Sequence, residues 1–241
     1  MGTKLVFAGS DTHCGHISGL TPPRWQTTKA QQVYWDAFSQ RVQRVRGRER
    51  VHLAIWNADM IDGRGERSGG TELWTTSQKV QVACAVGVVE FVNARHNVFT
   101  YGTDYHTGHG GEDWEDWIAT ARAFKDGGAE CCIEGQQTFR VNKCVFHVKH
   151  KIGGSQVPYG RFTGLARERT WNLEWAAFGE VPRADVFMRA HTHYYVYCGG
   201  HAWEAMILPA LQGWGCKYGE RQCSGTVDFG FMEFRIGDDP G

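Results

Sequence analysis

The 241-residue sequence has no net charge: 26 Lys and Arg balance 26 Asp and Glu. A bulk cationic field of the kind that holds nucleic acid non-specifically is thereby excluded, and charge alone lends a nucleic-acid partner no support. Apolar runs of about eighteen residues, the minimum for a membrane-crossing helix, are also missing, and Met1 to Phe7 hold no basic stretch followed by a long apolar core. A soluble, cytoplasmic protein without a membrane partner is the expectation. Cys-x-x-Cys is lacking too, although there are eight cysteines: Cys14, Cys84, Cys131, Cys132, Cys144, Cys198, Cys216 and Cys223. Four disulfides would use them all, but with neither a signal peptide nor zinc-ribbon spacing they read as free thiols in a reducing compartment. Repeats, linkers and low-complexity stretches are absent, and the length suits one domain, residues 1–241, with its own core.

What is present is a series of apolar, strand-like segments that end in metal-ligand residue types. Lys4 to Ala8 runs into Gly9-Ser-Asp-Thr-His13, so Asp11 and His13 follow a strand at its carboxyl end, where open α/β sheets keep their ligands. Val51 to Trp56 leads into Asn57-Ala-Asp-Met-Ile-Asp-Gly63, which carries Asp59 and Asp62 before Gly63 and Gly65 let the chain turn away. Two such acids can be ordinary turn residues; their place after a strand favours a site. Asn97 to Tyr101 delivers Gly102-Thr-Asp-Tyr-His-Thr-Gly108, with Asp104 and His106. Thr138 to His150 alternates as one strand closed by His150, and Asp185 to His193 ends in His191-Thr-His193, whose two imidazoles share one face in a strand or, in a turn just past the strand end, aim into one cavity.

Between these segments lie helical patterns. Lys29 to about Arg46 places Val33, Tyr34, Ala37, Phe38, Val42 and Val45 three to four apart. Its cationic tail, Arg41, Arg44, Arg46, Arg48 and Arg50, suits a solvated face at the negative helix end better than a phosphate patch. Thr75 to Phe91 is expected to bury Val80, Ala83, Cys84, Val86, Gly87 and Val89. Glu112 to Phe124 has Trp114, Trp117, Ile118, Ala121 and Phe124 on a stripe read as core, and a Trp-rich helix around Trp171, Leu173, Trp175, Ala176 and Phe178 stops before Pro182. A hairpin from Tyr194 to Leu208 turning at Gly199-Gly200, and a strand from Thr226 to Ile236, complete an α/β pattern.

Read in order, the boxes are Asp-x-His, Asn-x-Asp-x-x-Asp-Gly, Gly-Thr-Asp-Tyr-His, a strand-final His and Ala-His-Thr-His, over residues 5 to 193. The set resembles the calcineurin-like metallophosphoesterase family, whose boxes are Asp-x-His, Gly-Asp-x-x-Asp, Gly-Asn-His-Glu/Asp, His and Gly-His-x-His. The wording at Gly102 to Gly108 and at Leu208-Pro209-Ala210 is similar to bacteriophage versions of that family, whose location would be the host cytoplasm. The resemblance implies a sandwich of two mixed β-sheets flanked by helices and a pair of divalent ions, Mn, Fe or Zn, with Mg and Ni also compatible. It implies hydrolysis of a phosphate mono- or diester, with a nucleotide or nucleic-acid type substrate favoured. Two ions roughly 3.5 to 4 Å apart would activate water as hydroxide and clamp the phosphoryl oxygens.

Carried over by position, Asp11, His13 and His193 hold the first ion, Asp59 bridges, and His150 and His191 complete the second site. His106 is the general acid and Asp62 its orienting partner. This chain departs from the pattern where Thr103 replaces the Asn ligand, with Asp104 next door as a substitute, where His106 lies two positions further on, and where Asn57 and Ala190 replace glycines. Two other readings accompany the enzyme: a protein of the same fold that binds a partner without turnover, and a structural or single-metal protein. Trp25, Trp56, Trp74, Tyr105, Trp114 and Trp214 are candidates to stack on a base, with core packing as the alternative, and Arg64, Arg67, Arg161 and Arg167 are candidates for a second phosphate.

Overall fold

A computed structural model of the chain describes residues 2–47, 49–107, 114–125, 131–217 and 227–238, without the side chains of 67, 123–125 and 131. The first sheet contains β1 (Lys4–Gly9), β2 (Leu53–Trp56), β3 (His96–Thr100) and β4 (Cys131–Glu134), all parallel, in the order β1-β2-β3-β4. The second contains β5 (Gln136–Val141), β6 (Cys144–Lys149), β7 (Val186–Arg189), β8 (Val196–Gly200) and β9 (Trp203–Ile207), in the order β5-β6-β7-β9-β8. Finally β10 (Met232–Ile236) adds antiparallel to the free edge of β1.

Burial follows from this layering. Parallel strands covered on both faces read as continuous apolar runs, as Val6 to Ala8 and Leu53 to Trp56 do. One face of the first sheet gives Val6, Ala8, Leu53, Ile55 and Val98 to a core shared with Phe146, Val148, Met188 and Met206 of the second. Its other face packs on α1 (Lys29–Arg46), α2 (Gln78–Val92) and α4 (Trp114–Lys125) through Phe7, Trp56, Phe38, Val89 and Ile118. The outer face of the second sheet packs on α5 (Arg161–Ala177) through Leu165 and Phe187. Two mixed sheets lie back to back with helices on both sides, as expected. The bounds of α1 are those read from the sequence because Thr28 and Gln31 form a capping box that fixes its start.

Several local expectations are corrected. Thr138 to His150 is not one strand but a hairpin, β5 and β6, closed by Asn142-Lys143 with Val141 facing Cys144. Asn142 has φ +51°, which Asn tolerates, and its side-chain amide donates to Ile236 O at 2.8 Å. Gly199 and Gly200 stay in β8, paired with Glu204 and Trp203, so His201-Ala202 makes the turn. The unforeseen β4 is short and lacks alternation. The last strand begins only at Met232, and Thr226 lies outside the described residues.

Side-chain burial is corrected too. In α2, Ala83 is exposed, while Val82 and Ala85 are buried. Trp114 is buried but Trp117 is 54% exposed, and Phe124 lies outside the described side chains. Trp171, Trp175 and Phe178 face solvent. The described cysteine side chains, Cys14, Cys84, Cys132, Cys144, Cys198 and Cys216, are free thiols. No helix among the described residues is long and apolar enough to cross a membrane.

Candidate metal centre

The loops after β1, β2, β3, β6 and β7 open at the same end of the two sheets. The first two are zipped together: Asp11 N donates to Ala58 O, His13 N to Asp59 O, and Cys14 N to Met60 O at 3.0 to 3.1 Å. They hold unusual backbone. Of the eight described non-glycine residues with positive φ, six lie in these loops: Asp11 (+50°), His13 (+43°), Ala58 (+65°), Asp59 (+48°), His191 (+76°) and His193 (+57°). Left-handed backbone costs about 1–3 kcal/mol per residue, and its concentration here rather than in surface turns marks a site that the surrounding packing imposes.

Three groups of side chains result. Asp11, His13 and His193 form one, Asp59, His150 and His191 a second, and His13, Asp62 and His106 a third, the ligand atoms of each within 4.8 Å of one another. Asp11 Oδ1 lies 3.2 Å from His193 Nε2 and 3.9 Å from both His13 Nε2 and His150 Nε2, so one buried oxygen faces three imidazole nitrogens. His13 Nε2 and His193 Nε2 are 3.2 Å apart. Two nitrogens bound to one tetrahedral ion at 2.0–2.1 Å would be separated by about 3.3 Å, so the pair has the spacing of a ligand edge.

Tautomers support the same use. His13 Nδ1 is 2.9 Å from Asp62 Oδ1, and His150 Nδ1 is 2.7 Å from Asn57 O. A carbonyl only accepts, as does an ionised carboxylate, so each Nδ1 carries a hydrogen and each Nε2 faces the centre of the site, where it can hold a proton or, once that proton leaves, a metal ion. Asp59 Oδ2 meets His150 Nε2 at 2.9 Å, while Thr103 N donates to Asp59 Oδ1 at 2.8 Å. A Cβ on Gly102 would run into the Asp59 carboxylate, which is why a glycine stands there.

The electrostatics describe a field that attracts cations. Burial pushes Asp11 and Asp59 up, but His193 and His150 around the first and His150 and His106 around the second outweigh it and hold both below the usual carboxylate range. Conversely, burial works against the charged imidazole of His150, yet Asp59 and Asp11 raise it to about 9. His13 and His193 are raised in the same way, burial being outweighed by Asp11 and Asp62 for His13 and by Asp11 for His193. His191, depressed to about 4 by burial and then by His150, stays neutral and able to ligate.

Asp104 belongs to none of these groups: it is exposed at the start of α3 (Asp104–Thr107). Asp62 reaches His106 by an unexpected route, since its carboxylate is spent on His13 and its main-chain carbonyl accepts from His106 Nδ1 at 2.8 Å. Among the aromatics, Trp56 and Trp114 are core, Trp25 and Trp74 are half-buried against it, and Trp214 is exposed. Tyr105 stands beside His106, ring centroids 4.8 Å apart. Arg64 bonds Gln78, Arg161 lies over Tyr194, Arg167 is exposed, and the Arg67 side chain is outside the described set.

Comparison with solved structures yields chains of the same architecture. Vacuolar protein sorting 29 from Cryptosporidium parvum aligns with a TM-score of 0.50 at 9% identity, over 98% of this chain and 87% of that one. The fold is that of the metallophosphoesterases. An archaeal phosphodiesterase aligns with a TM-score of 0.46 at 16% identity, over 96% and 99% of the two chains. Vps29 from Entamoeba histolytica in complex with zinc gives 0.47 at 13%, over 97% and 87%. No family model matches the sequence, and no curated protein does. At these identities the likeness is one of fold.

Sequence reading overlooked three buried polar residues. Glu115, on α4, accepts from Met60 N and Gly102 N, and burial followed by the nearby Asp59 pushes its carboxyl up to about 8. Arg189, at the end of β7, donates to His147 O, Met188 O and Glu168, tying β6, β7 and α5 together below the histidine loop. Cys216 shares a hydrogen bond with His193. An acid inside an otherwise apolar helical stripe, and an Arg inside an apolar strand, were the available signals.

Proposed function

We propose that this protein is a metal-dependent phosphoesterase that hydrolyses phosphate mono- or diesters at the centre formed by Asp11, His13, Asp59, His150, His191 and His193. The observation that carries the proposal is the meeting of Asp11 Oδ1 with three imidazole nitrogens from loops as far apart in sequence as residues 13, 150 and 193. The donor set is imidazole and carboxylate without thiolate, which suits Mn, Fe or Zn. Asp11, His13 and His193 would hold one ion and Asp59, His150 and His191 the other. Bound there, divalent ions would lower the pKa of water and offset the negative charge that develops on the phosphoryl oxygens.

The chain's own groups supply the remainder. His106 keeps its Nδ1 hydrogen on Asp62 O, so its Nε2 is the atom that can hold a proton and pass it to the leaving oxygen. Asp62 fixes the ring of His13 with its side chain and the ring of His106 with its main chain. Tyr105, at the edge of His106, offers a ring to a nucleobase and supports a nucleotide-type substrate. The bacteriophage-type character rests on the wording of residues 102–108 and 208–210.

Hydrolysis of p-nitrophenyl phosphate and bis-p-nitrophenyl phosphate tests the reading, measured after chelation and again with Mn, Zn or Mg restored, alongside metal equivalents per chain. Activity that vanishes with the metal and returns with it is expected; hydrolysis indifferent to metal would end the proposal. Binding without turnover has one observation in its favour, the solvent-facing Trp171 and Trp175 on α5 with Phe178 at its C-cap, and predicts metal uptake with no hydrolysis of any ester.

A further inference from the structure

We infer that Glu115 is a positioning residue for the second ion, holding together the two loops that present Asp59. The inference rests on the metal centre proposed above. Glu115 is fully buried on α4, and its two oxygens are used separately: Oε1 accepts from Met60 N at 3.0 Å and Oε2 from Gly102 N at 2.8 Å. Met60 follows Asp59, and Gly102 precedes Thr103, whose own N–H donates to Asp59 Oδ1 at 2.8 Å and whose hydroxyl lies 3.3 Å from the same atom. One carboxyl group thus fixes the main chain on both sides of the Asp59 side chain. Gly102 packs closely against the Asp59 carboxylate, so a shift of this main chain would reach the Asp59 side chain directly.

The consequence is selective. His13 and Asp11 hang on the β1 loop, which is zipped to residues 58–60 by main-chain bonds and has side-chain support from Asp62. Asp59 answers to the β3 loop as well, and Glu115 is the side chain that couples that loop to residue 60. Glutamine cannot replace it: an amide offers one acceptor oxygen and turns an NH2 toward the other N–H, leaving a buried donor facing a donor. Loss of a supporting hydrogen bond of this kind lowers metal affinity by about 10–100-fold.

Calorimetric titration with Mn and Zn, checked by metal analysis after dialysis, should give two equivalents for the wild-type chain. Glu115→Gln should keep one equivalent at unchanged affinity and bind the other at least about tenfold more weakly. Wild-type affinity for both ions in folded Glu115→Gln would overturn the inference, and a lowered melting temperature alone would assign Glu115 to stability. If wild-type chain takes up no divalent ion, it is the proposed function that fails. Should the variant not fold, hydrogen exchange on the wild-type protein still decides: the Met60 and Gly102 amides should exchange as slowly as those of β2 and β3, and rapid exchange at either would overturn the assignment.

Discussion

The two ligand groups sit side by side yet are braced by different means. Around His13 and His193 the supporting partners are side chains, Asp62 on His13 and Cys216 on His193, while Asp11 Oδ2 takes one main-chain contact, from His191 N. Around Asp59 and His150 they are largely main chain, Thr103 N on Asp59 and Asn57 O on His150. Support from a side chain can be removed by one substitution, whereas support from main chain moves only when its loop moves. The first group therefore registers changes in its neighbours directly, and the second registers changes in what positions its loops.

The largest expected effect comes from removing a ligand. His193→Ala should lower metal-dependent hydrolysis by at least about a thousandfold, several kcal/mol of lost charge stabilisation, while the fold still melts cooperatively. Near-normal turnover in that variant would break the scheme at its first group. Next, His106→Ala should cost about a hundredfold for esters with poor leaving groups and far less for p-nitrophenyl esters, which leave without a proton. An equal loss for both kinds of ester would show that His106 is not the acid.

A smaller effect sharpens the contrast between the groups. Asp62→Asn should weaken one ion by about tenfold, through His13, while the dependence of rate on leaving group stays as in wild type, because His106 is held by the residue 62 carbonyl. The smallest effect at the site is expected from Glu168→Gln, which leaves metal binding unchanged and costs about 1–3 kcal/mol of stability by weakening the support of buried Arg189. Burial pushes the Glu168 carboxyl up, but Arg189 outweighs it and holds it below the usual carboxylate range. The stabilisation is therefore present above the usual carboxylate range and is lost as pH falls from that range through the lower value of the folded state. Urea midpoints of wild type and Glu168→Gln should converge in acid.

Much of the candidate centre was legible because metal chemistry limits residue type and because each candidate ligand follows a strand end. Asp11, His13, Asp59, His150, His191 and His193 were all named from the sequence and are brought together. Asp104 was named for its type and for standing beside Thr103, yet it points to solvent at the start of a short helix. Thr103 takes up the local contact instead, through an N–H that no side-chain pattern reveals. The hairpin within residues 136–149 was hidden because its alternation continues across Asn142-Lys143. Trp117 shows the reverse error, since an apolar stripe records amphipathic character and not what covers it.

The sequence by itself determined the alternation of strands and helices, apart from β4 and the division of β5 from β6, and the kinds of atoms available to an ion, because periodicity and ligand chemistry are local properties. Tertiary structure decided which oxygen faces three imidazoles, which nitrogen of His13 and His150 turns to the centre, and that the Asp62 carboxylate serves His13 while its carbonyl serves His106. Those outcomes depend on distances between residues up to 182 positions apart, from Asp11 to His193, and only the packing of the two sheets sets them.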